Sequence, residues 1–384
     1  MQSADACWIA LRQVNGVGAR IYRLILEKFG TPERAFEASA SDIAAIGVPR
    51  QTAYNVSQFR DFTLAEKQLC ELPRIGARLV RWTDPEYPPN LKHIADPPPF
   101  LFVRGDAPLT DSHCVAIVGA RAASDGGRRM AQRLGFELAA KGFTVVSGLA
   151  RGIDGEAHQG ALDAGGRTIA VMGCGIDVIY PAEHRKLAEA IIEKGGALMS
   201  ELPVGTQPLA ENFPTRNRIL SGLALGVVVV EAAEKSGSLI SARMALEQDR
   251  QVFAVPGSPV SGKARGSNRL LKEGAKLVEC VEDVIEELAP QLALGPKMLS
   301  IPQPSSAKRE KTEKSGGNSQ TESEQNTVDE AKLILEALKH DERLHVDSII
   351  EATALKTQIV LRLLLELELR GLVAQHPGKL FSLA

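Results

Sequence analysis

From Trp8 to about Leu72 apolar residues recur at helical spacing. Within that stretch Val14-Asn-Gly-Val-Gly18, followed by Ile21, Leu24, Ile25 and Phe29, predicts a hairpin between two short helices. A glycine-bearing turn of this kind can offer backbone N–H groups to a DNA phosphate, as helix-hairpin-helix modules do, because glycine permits close approach. It would serve equally as a tight turn in a small helical bundle, and the candidate second copy, Ile46-Gly-Val-Pro49, is degenerate. The pattern then changes. Asp84-Pro-Glu-Tyr-Pro-Pro and Asp96-Pro-Pro-Pro cannot sustain a helix and lead into Phe100-Leu-Phe-Val-Arg-Gly105, an extended entry to a sheet. From Cys114 onward short β-branched runs alternate with helical stretches: 115–118, 144–146, 168–172, 197–199, 227–230 and 252–255. Such alternation predicts a mostly parallel sheet flanked by helices, and a run as apolar as Val227-Val-Val-Val230 fits a strand covered on both faces.

Between Gln291 and Asn326 proline, serine, lysine, glutamate and glycine replace large apolar residues, so nothing there drives a core. Three further helical stretches, 328–339, 346–351 and 357–370, precede Leu372-Val-Ala-Gln375, a His376-Pro-Gly378 turn and Leu380-Phe-Ser-Leu383, the pattern of a winged helix. The expected organisation is an α/β protein: a helical SAM/helix-hairpin-helix-like domain over 1–75, an extended Rossmann-like DNA-binding domain over 76–290, a flexible linker over 291–327 and a winged-helix domain over 328–384.

Composition narrows the class. The 384 residues are 44% hydrophobic and 24% charged, with no apolar run of membrane-spanning length and no secretory start, which points to a cytoplasmic protein. Cysteines 7, 70, 114, 174 and 280 are scattered and odd in number, against both a disulfide framework and a zinc site. With 45 basic and 47 acidic side chains the net charge is −2, so any contact with nucleic acid must come from a local basic cluster.

In parallel α/β sheets ligands sit beyond the carboxyl ends of the strands. Those ends carry Gly119-Ala120-Arg121, Ser147-Gly148 with Arg151-Gly152, Gly173-Cys-Gly175, and Lys235-Ser236-Gly237-Ser238. Successive strands each followed by small residues fit a phosphate held by backbone N–H groups, although the same glycines suit tight strand-to-helix turns. Gly119-Ala-Arg-Ala-Ala-Ser lacks the later glycines of a dinucleotide fingerprint. Arg121, Arg151, Arg216, Arg218 and Lys235 are interleaved with these loops, and Phe213, in Phe-Pro-Thr-Arg-Asn-Arg, is the one aromatic nearby in sequence. Cations plus a stacking ring specify single strands; the alternatives are core packing for Phe213 and pairing of Arg216 or Arg218 with Glu211 or Glu231. Asp154 and His158, four apart on a predicted helix, read better as a cap and a hydrogen-bonded core residue than as a metal or acid–base pair. No Walker A motif, HExxH or nucleophile elbow occurs, so no catalytic residue, metal or cofactor is expected.

These motifs together, Gly119-Ala-Arg121, Ser147-Gly-Leu-Ala-Arg-Gly-Ile-Asp154, Asn212-Phe-Pro-Thr-Arg-Asn-Arg-Ile219, Ser236-Gly-Ser-Leu239 and Val255-Pro-Gly257, resemble the DprA/Smf family of DNA-processing proteins over about residues 81–288, including Gly266-Ser-Asn-Arg-Leu-Leu-Lys-Glu-Gly274. The resemblance implies a non-enzymatic homodimer that binds single-stranded DNA without sequence preference, shields incoming strands in natural transformation and loads RecA recombinase. It implies that Arg121 contacts phosphate, Phe213 a base, and that Arg216, Asn217, Arg218 and Lys235 line the pocket. The segment 239–255 resembles the family's dimer and RecA-facing region. Ala120 stands where serine is frequent, and Phe381 where tyrosine is common. Two rival readings remain: a nucleotide phosphoribohydrolase of the LOG type, whose PGGxGT loop and following glutamate have no counterpart near Lys235-Ser-Gly-Ser, and a duplex-reading regulator, although the stretch 357–370 is more apolar and acidic than a groove-reading helix.

Overall fold

The computed structural model describes residues 3–292 continuously and, beyond them, positions between 333 and 383, chiefly 344–353, 373–376 and 380–383. The chain divides into two compact units, 1–302 and 303–384. The expected linker beyond Leu292 lies outside the described residues, as does most of the stretches 328–339 and 357–370.

The first unit is built on a nine-stranded sheet: β1 Ala77–Arg81, β2 Phe100–Gly105, β3 Cys114–Val118, β4 Thr144–Ser147, β5 Thr168–Val171, β6 Ala197–Ser200, β7 Gly226–Val229, β8 Gln251–Ala254 and β9 Lys276–Leu277. Their order is β1-β2-β6-β5-β4-β3-β7-β8-β9. The run from β6 to β9 is parallel, while β1 and β2 add antiparallel on the β6 side. Every strand from β3 to β7 is buried along its length, as strands covered by helices on both faces must be. Alternation within β3 assigns the faces: Val115 and Ile117 pack with helices Asp125–Ala140, Ile153–Asp163 and Val281–Leu292, whereas Ala116 and Val118 pack with Asn212–Leu223 and Ser238–Glu247. Strand order reverses between β3 and β7, and the crevice at such a reversal is where this architecture receives ligands.

The helices Asp125–Ala140 and Ile153–Asp163 lie in close contact because each presents a glycine to the other's backbone: Gly135 against Ala157, and Gly160 against Gln132. A side chain at either position would overlap main-chain atoms that cannot move aside. The short helices at the start of the chain include Ala4–Gln13 and Ala19–Phe29, joined by the expected hairpin. Gly16 and Gly47 both adopt positive φ, +92° and +88°, and each precedes a buried valine, Val17 or Val48. The second turn therefore shares the local backbone of the first despite its altered sequence. Thr52 packs on Gly16 and Asn55 donates to the Asn15 carbonyl, so the helix Arg50–Ser57 is fastened to the first turn. One apolar cluster runs from Trp8, Tyr22 and Ile25 through Phe102 and Leu198, joining these helices to the β2–β6 side of the sheet.

In the second unit β10 Leu344–His345, β11 Val373–His376 and β12 Leu380–Leu383 form a three-stranded sheet in the order β10-β12-β11. Ile349, Val360, Leu364, Leu367, Val373 and Phe381 pack into its core.

Replacing Gly160 with alanine is expected to lower stability by about 1–3 kcal/mol, since overpacking forces the helix pair apart. Urea unfolding of the variant and of the native chain measures the difference; equal midpoints would contradict the close approach.

Candidate nucleic-acid interface

At the β3/β7 reversal the chain forms an open cavity of about 650 Å³, lined by the loops after β3 and β7 and by the start of helix Asn212–Leu223. Glu231, just beyond β7, fixes the two loops to each other. Its backbone carbonyl accepts from Ala120 N at 2.7 Å, and its buried carboxylate accepts from the Ser124 hydroxyl at 2.6 Å and the Ser124 N–H at 3.2 Å. Glu231 is thus spent on the scaffold and pairs with neither Arg216 nor Arg218.

Arg216 projects from the first turns of its helix and is only 7% exposed. Its guanidinium donates to the Gly148 carbonyl at 3.0 Å and, more closely, to that of Val171, the carboxyl ends of β4 and β5. Asp154 closes the same corner by accepting from Gly148 N at 3.1 Å and Ala150 N at 3.4 Å. A side chain at Gly148 would collide with both Arg216 and Asp154, which is why that position carries glycine. Burial pushes the Asp154 carboxyl upward from its ordinary value, and Arg216 and the two N–H donors oppose it. Burial likewise pulls the Arg216 guanidinium down, with Asp154 opposing; arginine nonetheless stays cationic. Sequence reasoning reads Asp154 as a helix cap, whereas its carboxylate actually caps the loop before the helix.

Phe213 is half-buried, with one edge of its ring against Gly173. The Arg121 guanidinium lies over the ring at 5.1 Å from its centroid and that of Arg216 at 5.9 Å. Arg121 and Lys235 are exposed and line the cavity, and among the described residues neither has an ion-pair partner. Just after Lys235 begins the ten-residue helix Ser238–Glu247, and Ser236, Gly237, Ser238 and Ser241 at its start line the same cavity. A helix N-terminus flanked by two unpaired cations is a receptor for an anion.

Of the residues expected from sequence, the structure brings Gly119, Ala120, Arg121, Phe213, Arg216, Asn217, Lys235, Ser236, Gly237 and Ser238 into one cavity. Five do not line it. Arg218 turns the other way from Arg216 on the helix, is 7% exposed, and pairs with Glu201 at 2.7 Å and Asp96 at 2.9 Å. Its partners are neither of the two acids expected, because Glu201 follows β6 and Asp96 comes from the proline-rich entry. Arg151 forms a two-pronged bond with Glu183, at 2.6 and 2.7 Å. Ser147 is fully buried and donates to the Ile117 carbonyl, Gly148 lies under Arg216, and Gly152 packs on the Ala120 and Arg121 carbonyls. Phe213 is also not alone: Tyr180, nine residues past β5 and 33 before Phe213 in sequence, places its ring centroid 5.8 Å away and lines the cavity.

His158 is a core residue. Its Nδ1 meets the Thr168 hydroxyl at 2.6 Å, and that hydroxyl donates onward to the Val145 carbonyl at 2.7 Å, so Nδ1 carries the proton of a neutral ring. Among the described residues no cluster of His, Cys, Asp and Glu could hold a metal ion, and no helix is long and apolar enough to cross a membrane.

A mostly parallel sheet with a cation-lined cavity at its switch point defines an α/β protein of the kind that receives ligands through loops and helix ends. The family model described as DNA recombination-mediator protein A matches residues 78–289, and that of the DprA winged helix domain matches 318–379. The chain belongs to the DNA recombination-mediator protein A family. It is 40% identical over 346 residues to the protein Smf of Escherichia coli strain K12, covering 89% of this chain and 88% of that protein. It is 45% identical over 203 residues to the DNA processing protein DprA of Streptococcus pneumoniae, covering 52% and 71%. The X-ray structure of the S. pneumoniae protein superposes with a TM-score of 0.64 at 35% identity, covering 75% of this chain and 99% of that one. The structure of DNA processing protein A from Helicobacter pylori, described for its single-stranded DNA binding mode, gives 0.50 at 30% identity, covering 56% and 96%.

Burial holds the His158 pKa down to about 3, below its ordinary 6.5. A depressed folded-state pKa adds stability above pH ~6.5 that is lost as pH falls toward 3. The stability difference between the native chain and His158→Gln should therefore shrink by up to ~1.4 kcal/mol per pH unit over that window. A difference constant from pH 7 to 4 would contradict a buried neutral ring.

Proposed function

We propose that this protein binds single-stranded DNA without reading its sequence, at the cavity between the loops after β3 and β7. The observation that carries the reading is the pairing of two exposed, unneutralised cations, Arg121 and Lys235, with a helix N-terminus across an aromatic-walled cavity. Phosphates fit the cations and the positive start of the helix; unpaired bases fit the aromatic wall. The relative from H. pylori, whose structure is described for its binding of single strands, supports the same ligand here. By the same kinship the protein shields incoming strands in natural transformation and loads RecA onto them, acting in the cytoplasm as a homodimer and binding rather than cleaving.

The phosphoribohydrolase reading finds little support. The residues after Ser236-Gly-Ser238 reach no glutamate before Glu247, at the last turn of the helix, and Glu247 is paired with Arg243 at 2.9 Å. For the winged-helix unit as a duplex reader, Val360, Leu364 and Leu367 are buried in that unit's own core, which leaves the apolar side of this stretch no role in a groove.

Each phosphate contact adds about −0.7 to the log–log salt slope of single-strand binding. Titrating oligo-dT at several salt concentrations, Arg121→Ala is expected to bind more weakly with a slope flatter by about 0.7. Native affinity and slope in this variant would remove the cavity as the binding site.

A further inference from the structure

The helical region at the start of the chain holds a second open groove, of about 1030 Å³, which shares no lining residue with the cavity at the strand ends. Helices Ala4–Gln13 and Pro32–Glu37, the turn 59–62 and the end of β1 line it. Its wall is aromatic. Phe36 and Phe59 are stacked with centroids 5.6 Å apart, and Phe62 stands edge-on to both, at 5.2 and 5.5 Å. Phe36 and Phe59 are only half-buried, so part of this apolar surface stays open to the groove.

Three arginines and two glutamates stand at the groove, and the arginines are turned to other partners. Arg81 pairs with Asp5 at 3.2 Å and Asp84 at 3.0 Å, Arg60 donates to the Ser57 and Phe59 carbonyls at 3.0 and 2.6 Å, and Arg34 reaches back to the Gly30 turn. Arg34 and Arg60 are exposed, where water screens their charge. Glu33 and Glu37 are the charges left over. Among the described residues neither forms an ion pair, and Glu33 Oε2, shielded from solvent, accepts no hydrogen bond. The Cys7 thiol at the groove registers their field: burial, then Glu33 and Glu37, push its pKa up to about 11.

A shielded carboxylate oxygen that no group of the protein satisfies is unfavourable in the free chain. It is favourable as a receptor, because a cationic donor gains a charge-assisted bond with no internal partner to displace. The aromatic wall selects the cation. Guanidinium is planar and weakly hydrated and lies against rings while donating from its edge, whereas an ammonium holds its water.

We propose that this groove docks a segment of a partner protein through an arginine side chain, with the guanidinium on Glu33 and the stem along Phe36 and Phe59. Glu37 favours further basic residues beside that arginine, and the two acids repel the phosphates of nucleic acid. The site is independent of the single-strand reading.

The probe is acetyl-Ala-Arg-Ala-amide, titrated against the full chain carrying 15N at its tryptophan indoles and followed by nuclear magnetic resonance. Of the two tryptophans, Trp8 lines the groove and Trp82 lies between Arg81 and Thr83, which also line it. The arginine peptide should shift the Trp8 signal saturably, and the peptide with neutral citrulline in its place should bind about tenfold more weakly or worse, as loss of a charge-assisted bond requires. Glu33→Gln should weaken the arginine peptide by a similar factor, leave oligo-dT affinity native, and melt no lower than the native chain, since it removes a charge that nothing in the free protein satisfies. No shift with the arginine peptide, equal affinity for the citrulline peptide, or native peptide affinity in Glu33→Gln would overturn the proposal. So would a lowered melting temperature in Glu33→Gln, which would mean that the carboxylate serves the fold, or spermidine binding as tightly as the peptide, which would make this a site for a free polyamine. If Glu33→Gln does not fold, the arginine and citrulline peptides on the native chain decide the matter.

Discussion

A guanidinium taken out of water must recover its hydrogen bonds and its counter-charge from the protein. Arg216 recovers them from the ends of β4 and β5 and from Asp154 above Gly148. This single side chain joins two strands, the helix that bears Phe213 and the loop leading to helix Ile153–Asp163. The cavity floor is consequently a rigid electrostatic unit, and the groups that face solvent above it can be aimed. Glu231 does the equivalent work on the other wall, gripping the loop after β3 through Ala120 and Ser124.

The local field follows from which charges are already used. Arg218 is neutralised by Glu201 and Asp96, Arg151 by Glu183, and Arg216 is balanced by Asp154. Arg121 and Lys235 are left over, beside the positive end of helix Ser238–Glu247. A chain of net charge −2 thereby presents a positive site of limited extent.

The sheet was readable because β3 to β7 are apolar and buried along their length, and β3, β4 and β5 run into glycine at Gly119, Gly148 and Gly173, so pattern and turn chemistry agree. β1 escaped notice: Ala77-Arg-Leu-Val-Arg81 buries only Val80 fully and owes its strand form to pairing with β2. The loops of the site were legible for the same reason as the strands, since strand ends are marked in sequence. What sequence could not supply was direction. Arg216 and Arg218 are two residues apart, and helical rotation sends one beneath the cavity and the other to Glu201. Tyr180 was invisible as a partner of Phe213 because their contact is made by adjacent strand ends, not by neighbouring residues. Its signal was present in Gly173-Cys-Gly175, a strand end followed by an exposed aromatic.

The dependence of the site on Arg216 is tested most directly by Arg216→Lys, which keeps a positive charge but loses the planar guanidinium, whose Nη1 meets the Gly148 and Val171 carbonyls while its Nε donates to Asn217 Oδ1 at 3.3 Å. With far-UV circular dichroism unchanged, the affinity for oligo-dT at fixed salt should fall by about tenfold or more, a loss of at least ~1.4 kcal/mol. Native affinity in Arg216→Lys would show that charge alone suffices and that the buried guanidinium does not organise the site.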